Sequence, residues 1–128
     1  MRILLDTHIM LWALSGSPKL PKPARELIVD GTNDICFSAA NVWEVAIKHA
    51  LARNTMPVSG SQFTSFALEA GYSELPITCA HAVAVEKLAH HHADPFDRIL
   101  VAQAITEPLR LLTHDRKLSA YGDAVILV

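Results

Sequence analysis

Cysteine is almost missing from this chain of 128 residues: Cys36 and Cys79 are the only two, both lie among apolar or small residues, and they show no C-x-x-C spacing. A disulfide framework or a thiolate zinc site is therefore not expected, and both are read as buried thiols. Also missing is any apolar run approaching the ~18 residues that a membrane span needs, and the first residues lack the basic, apolar and small-residue layout of a secretory signal. The expectation is a cytoplasmic chain with no membrane partner. Positive charge is not in excess either. Lys and Arg number 11 against 13 Asp and Glu, a formal net charge of −2, which excludes the bulk attraction that marks many nucleic-acid binders. A nucleic-acid partner would have to be held locally, by bound cations and a few placed basic side chains. There is no internal repeat and no long polar tract, and the length suits a single domain over residues 1–128, because single domains cluster near ~100–150 residues.

What is present is an alternation of short apolar runs with helical patterns. Arg2 to Leu5 reads as a buried strand that stops at Asp6. A helix from about Ile9 to Leu14 is broken by Ser15-Gly16-Ser17-Pro18, and a second runs from about Pro23 to Asp30, with proline early and Gly31 just past the end. Ile35 to Phe37 is the next strand, with Ser38 at its carboxyl end. Helical spacing of Val42, Trp43, Ala46, Ile47, Ala50 and Leu51 predicts a helix from Ala39 to about Arg53. After a loop over Asn54 to Gly60, a short helix over Ser61 to Ala70 and a weak strand over Glu74 to Ile77, the alanine-rich stretch Thr78 to Leu88 reads as one helix running out into His90-His91-His92. Asp94-Pro95-Phe96-Asp97 opens the strongest helix, through Ala104 or Thr106. Leu111 to Thr113 is a strand ending near Asp115; a short helix around Lys117 to Tyr121 and a strand over Val125 to Leu127 follow. Strands apolar on both faces, alternating with helices, predict an α/β sandwich around a mostly parallel sheet. In such sheets ligands bind beyond the carboxyl ends of the strands.

Four acids belong to that edge: Asp6 and Asp115 follow strands, Asp97 lies in the first turn of a helix, and Glu44 falls at the margin of an apolar stripe. Clustered carboxylates repel one another and raise one another's pKa, so proteins keep them mainly to hold hard divalent ions. Mg2+ takes oxygen ligands and usually retains waters, which suits a few carboxylates plus a substrate phosphate, and the chemistry that follows is phosphodiester hydrolysis. Each acid also has a plainer role. Asp94 and Asp97 suit helix caps, Glu44 suits an ion pair with Lys48 four residues on, and Asp6 and Asp115 suit the starts of the helices that follow them.

The blocks Leu4-Leu5-Asp6-Thr7-His8, Ser38-Ala39-Ala40-Asn41-Val42-Trp43-Glu44-Val45-Ala46-Ile47-Lys48, Leu75-Pro76-Ile77-Thr78, Asp94-Pro95-Phe96-Asp97-Arg98-Ile99-Leu100-Val101-Ala102-Gln103-Ala104 and Leu112-Thr113-His114-Asp115 together resemble the PIN-domain family, in its branch of VapC-like toxins. They follow the family's order over nearly the whole chain, and the D-P-F-D-R-x-L-x-A-Q-A block is the most specific. The resemblance implies a PIN-like three-layer sandwich with a central sheet of four or five strands, a Mg2+ or Mn2+ site, endoribonuclease cleavage of RNA and thereby inhibition of translation, a homodimer, and a small VapB-like antitoxin whose basic or apolar tail covers the metal site. Asp6, Glu44 and Asp97 match three family acids, and Asp115 matches a fourth, more variable one. Thr7 and Ser38 match small hydroxyl residues that position ligands or water. Asp94 is a further acid of this branch, and the resemblance leaves open which of Asp94 and Asp97 touches metal. The chain departs from the pattern at Ala52-Arg53-Asn54-Thr55-Met56, where a Gly-Lys-Leu-like turn is expected, a change that bears on substrate contacts more than on catalysis.

Other features are discounted. Three successive histidines, with His81 and Cys79 upstream, suggest a transition-metal site, but zinc needs four converging ligands and adjacent helical residues point apart; a solvated helix end is the preferred reading. Trp12 and Trp43 are assigned to the core. Arg98 and Arg116, each beside a proposed site acid, suit a phosphate contact or a surface ion pair equally. Two rival readings remain. A phosphotransfer domain also carries an aspartate after its first strand, but one class wants D-x-D where position 8 is His, and the other wants paired acids that are absent near Asp6. An inactive binding module would use the same acids to dock a basic helix.

Overall fold

The computed structural model describes residues 1–51 and 56–128. Five strands form one sheet: β1 (Arg2–Leu5), β2 (Asp34–Ser38), β3 (Ser73–Leu75), β4 (Arg110–Thr113) and β5 (Val125–Leu127). Their order is β3-β2-β1-β4-β5, and every pairing is parallel. The register explains the apolar character of both faces. Leu4 lies opposite Cys36 on one side and Leu111 on the other, and these three share one core with Leu75, Leu100, Val101 and Leu118. Ile3, Leu5, Ile35, Phe37 and Leu112 point to the opposite face and pack with Ile9, Met10 and Phe63. Alternate residues of each strand thus serve two separate cores, as a sheet covered on both sides requires. The architecture is a three-layer α/β sandwich, as the alternation of elements predicts.

The helices are α1 (Thr7–Ser15), α2 (Lys22–Val29), α3 (Ala39–Leu51), α4 (Gly60–Glu69), α5 (Cys79–Ala84) and α6 (Pro95–Thr106). Helix α1 begins two residues earlier than the apolar pattern predicts because Asp6 caps it, accepting from the His8 and Ile9 backbone amides. It stops at Gly16, whose φ of 65° lies in the left-handed region that glycine adopts without penalty. The far end of the predicted Ala39–Arg53 helix, the start of the loop after it and the departure from the family pattern at Ala52–Met56 fall largely on residues 52–55, outside the described residues. Strand β3 ends at Leu75, before Pro76, which cannot donate to a ladder.

The single helix expected over Thr78 to Leu88 is a correction. Helix α5 covers only Cys79–Ala84, and a 3-10 turn over Val85–Lys87 follows it. The Val85 carbonyl accepts from Leu88 N and from Arg98 Nη2, a tertiary competitor for the helical bond that the local pattern cannot register. A 3-10 segment, Arg116–Ala124, kinks at Gly122, where φ is 82°. Among the described residues no helix is long and apolar enough to cross a membrane.

Candidate active site

Strand order reverses beside β1: the chain moves outward through β2 and β3, then returns to add β4 on the other side. Asp6 and Asp115 follow the two strands that meet there, and helices starting beyond the same edge carry Glu44 and Asp97. Asp6, Thr7, Glu44, Asp94, Asp97 and Asp115 line one concavity of about 220 Å³, joined by His8, Lys48 and His92. Residues more than 100 positions apart are brought to one place by the parallel topology.

One side of the site is a closed set of hydrogen bonds. Thr7 Oγ1 donates to Glu44 Oε1 at 2.7 Å. Asn41 Nδ2 donates to Thr7 Oγ1 at 3.0 Å and to the Leu5 carbonyl at 3.2 Å, while Asn41 Oδ1 accepts from Ser38 N at 2.7 Å. Asp6 accepts from Thr113 Oγ1 at 2.6 Å through the carboxylate oxygen that does not cap α1. Lys48 Nζ donates to Glu44 Oε2 at 2.6 Å, and that bond holds its ammonium above the ordinary lysine range. Asp6, Thr7, Asn41, Glu44 and Thr113 are all buried, so each position and orientation is set by packing as well as by bonding.

The other side has charge to spare. Burial first, then the charges of Asp94 and Asp6, push the Asp97 carboxyl up to about 7, with Glu44 adding to the rise and His92 opposing it. Asp94 caps α6, its Oδ1 accepting from Phe96 N at 2.8 Å. Asp115 caps the 3-10 segment through Lys117 N. Burial raises Asp115, but the Lys117 amide together with the hydrogen bond from His92 and the charge of Lys117 outweighs it and leaves the carboxyl below its usual value. One oxygen each of Asp97 and Asp115 and a ring nitrogen of His92 lie within 4.8 Å of one another. Asp6 and Glu44 stand outside that tight trio yet face the same space. The capping and pairing roles read from the sequence are therefore real for Asp6, Asp94, Asp115 and Glu44, and they coexist with convergence on one concavity.

Several expectations need correction. His92 is not at a solvated helix end: its side chain is 12% exposed and its Nε2 lies 2.9 Å from Asp115 Oδ2 and 3.4 Å from Asp97 Oδ2. Arg98 is buried and donates to the Val85, Ala89 and His92 carbonyls and to Tyr121 Oη, so its guanidinium faces the protein and not a phosphate. Arg116 is exposed. Ser38 does not line the concavity; its hydroxyl donates to Gln103 Oε1 at 2.6 Å and accepts from Ala40 N. Trp43 is 60% exposed and meets Phe96 edge-on with ring centroids 5.2 Å apart, because the inward stripe of α3 runs through Asn41, Glu44 and Val45. Trp12 packs against the core as expected. Cys36 is buried but Cys79 is exposed. Sequence reasoning gave no role to Asn41, His92 or Thr113. Asn41, a polar residue three positions before Glu44 on the same helix face, and Thr113, two before Asp115, each carried a usable signal.

An α/β sandwich that gathers carboxylates beyond the carboxyl ends of its parallel strands, at the point where strand order reverses, is a recognisable class of acidic-site protein. The family model for the PIN domain matches residues 3–124, and the chain belongs to that family. Solved structures of the same fold include VapBC2 from Rickettsia felis bound to a DNA fragment from their promoter, at 17% identity and a TM-score of 0.70, covering 100% of this chain and 98% of that one. A toxin-antitoxin complex from Klebsiella pneumoniae is 22% identical with a TM-score of 0.67, covering 97% and 95%. VapBC-1 from nontypeable Haemophilus influenzae is 16% identical with a TM-score of 0.66, covering 94% and 92%. Among curated proteins there is no match.

Proposed function

We propose that this chain is a divalent-metal-dependent endoribonuclease, the toxin of a toxin–antitoxin pair, which inhibits translation in the cytoplasm by hydrolysing RNA phosphodiester bonds. The observation that carries the reading is the convergence of Asp6, Glu44, Asp94, Asp97 and Asp115 on one concavity, with Asp97 pushed up to about 7. A cluster in which one acid is driven that far is short of positive charge, and a hard cation supplies it. The oxygen-rich donor set fits Mg2+, with Mn2+ an alternative; Asp6, Glu44, Asp97 and Asp115 would hold the ion, with Asp94 an added acid nearby. When bound, such an ion acidifies a water and offsets charge on the attacking and leaving oxygens.

The chain's own residues supply the remainder. Thr7 and Asn41 fix the Glu44 carboxylate, and Thr113 fixes Asp6. Lys48, at the rim, offsets the charge of Glu44, and exposed Arg116 beside Asp115 is free to meet phosphate. The net charge of −2 makes such local contacts and the bound ion the means of holding RNA.

Complexes of the same fold support a cognate antitoxin as partner. An apolar cleft of about 360 Å³, lined by His8, Leu11, Trp12, Met56, Phe63 and Phe66 among others, adjoins the acids through His8 and suits the apolar part of an antitoxin tail, whose basic part would reach the carboxylates. The protein is expected to act as a homodimer. The test is cleavage of RNA by the purified chain with Mg2+ or Mn2+, stopped by chelation and lost in Asp6→Asn, together with growth arrest on expression without the antitoxin. Intact RNA in every metal condition, with folded protein and normal growth, would refute the reading in favour of an inactive binding module.

A further inference from the structure

The geometry around His92 assigns it a role that none of the family acids fills. Its ring is held from both sides. The Asp94 backbone amide donates to Nδ1 at 3.0 Å, and a backbone N–H can only donate, so Nδ1 carries the lone pair and the ring proton belongs to Nε2. Nε2 is the atom that faces Asp115 Oδ2 at 2.9 Å and Asp97 Oδ2 at 3.4 Å. A metal ligand at that nitrogen would need the proton moved to Nδ1, setting two N–H groups against each other across the Asp94 contact and leaving both unsatisfied.

The backbone carrying the ring is tied down by a buried cation. Arg98 donates from Nη2 to the Val85 carbonyl at 3.2 Å and from Nη1 to the Ala89 carbonyl at 3.1 Å, with the His92 carbonyl at 3.5 Å. Tyr121 Oη accepts from Arg98 Nη1 and donates to the same Ala89 carbonyl at 2.8 Å. A segment with little regular structure of its own thus has its carbonyls gathered by one guanidinium, and its last histidine is aimed at the acids.

We propose that His92 is a positioning residue of the acid site: as the Nε2–H tautomer it donates to Asp115 and stands beside Asp97, holding the two carboxylates for oxygen-only metal binding without itself binding the metal. Arg98 and Tyr121 act through it by fixing the segment that bears it. This rests on the metal-dependent reading above and deepens it, because it turns an apparent mixed nitrogen and oxygen site into a site of hard oxygens, which favours Mg2+ and Mn2+ over softer ions.

The test uses the whole chain labelled with ¹⁵N. In the metal-free protein, two-bond ring correlations should report His92 as the Nε2–H tautomer, and Mg2+ should leave that proton in place. Mn2+ affinity, read from the free-ion electron paramagnetic resonance signal without RNA, should fall on the order of tenfold or more in His92→Ala, the cost usual for removing an outer hydrogen-bond partner. His92→Gln, whose amide N–H reaches the position of Nε2, should recover most of it. An Nδ1–H tautomer, loss of the Nε2 proton on Mg2+ binding, or native Mn2+ affinity in His92→Ala would overturn the proposal. The two readings fail separately: His92-dependent Mn2+ binding with uncut RNA would refute the ribonuclease alone, whereas RNA cleavage with native Mn2+ affinity in His92→Ala would refute the positioning role alone.

Discussion

The two sides of the acid site are built on opposite principles. Around Glu44 and Asp6 the carboxylates are buried, and most of their partners are neutral: Thr7, itself held by Asn41, donates to Glu44, and Thr113 and the His8 amide donate to Asp6, bringing no charge of their own. Around Asp97 the neighbours are other acids and one imidazole, and its carboxyl is driven up to about 7. The first arrangement stores precision, since Glu44 Oε1 and both oxygens of Asp6 are aimed by packed donors; the second stores unmet charge. A site meant only to stabilise the fold would have no reason to keep the second side. A site meant to take up a cation needs both, one to set geometry and one to supply attraction.

Breaking the charged side should have the largest effect on activity. Asp97→Asn is expected to lower metal-dependent RNA cleavage on the order of 10²-fold or more, beyond the ~10- to 100-fold that removing an outer partner typically costs, measured as initial rate under saturating Mg2+. The same variant should be more stable than the parent when metal is absent. The folded pKa of Asp97 lies above its unfolded value of 3.8, so the native state keeps its full stability below that value and loses it as pH rises toward about 7. Across those three or so pKa units the loss amounts to roughly 4 kcal/mol at most. Asp97→Asn should therefore raise the Tm by several degrees near pH 8, with a gain that shrinks toward pH 5. Added Mg2+ should stabilise the parent more than the variant. A Tm gain that is the same at both pH values would assign the effect to something other than this carboxyl.

Breaking the neutral side should cost stability instead. Asn41→Ala removes the donor to Thr7 and the Leu5 carbonyl and the acceptor for Ser38 N, and buried groups left without partners cost about 1–3 kcal/mol. Denaturant unfolding without divalent metal should show that loss at any pH near neutrality. The smallest effect belongs to Trp43→Ala. Its ring is largely exposed, so beyond the edge-on contact with Phe96, worth roughly 0.5–1.5 kcal/mol, unfolding should change little. A large loss of stability there would place Trp43 in a surface buried by a second copy or another partner.

Much of the acid site is legible in the amino-acid sequence, and the reason is local. Asp6 and Asp115 end short apolar runs, and Asp94 and Asp97 flank a proline at a helix start, so strand ends and caps mark them directly. The four main acids do line one concavity. The rest depended on contacts between distant residues. His92 reads as the tail of a long helix until Arg98, six positions later, captures the carbonyls of Val85 and Ala89 and turns the segment inward. Arg98 itself looks like a phosphate contact because it sits beside Asp97 in sequence, yet on α6 its side chain leaves toward the interior. Trp43 obeys the apolar periodicity of α3, but Asn41 and Glu44 occupy the inward stripe because their hydrogen bonds are satisfied there, and the tryptophan is turned outward.

Joint capture of a divalent ion by these acids is tested most directly by anomalous scattering from a crystal soaked in Mn2+. The expected result is a peak among the carboxylate oxygens of Asp6, Glu44, Asp97 and Asp115, with His92 Nε2 not bonded to it, and the peak should vanish in Asp97→Asn. An empty concavity under saturating Mn2+, or a peak held elsewhere on the molecule, would contradict it.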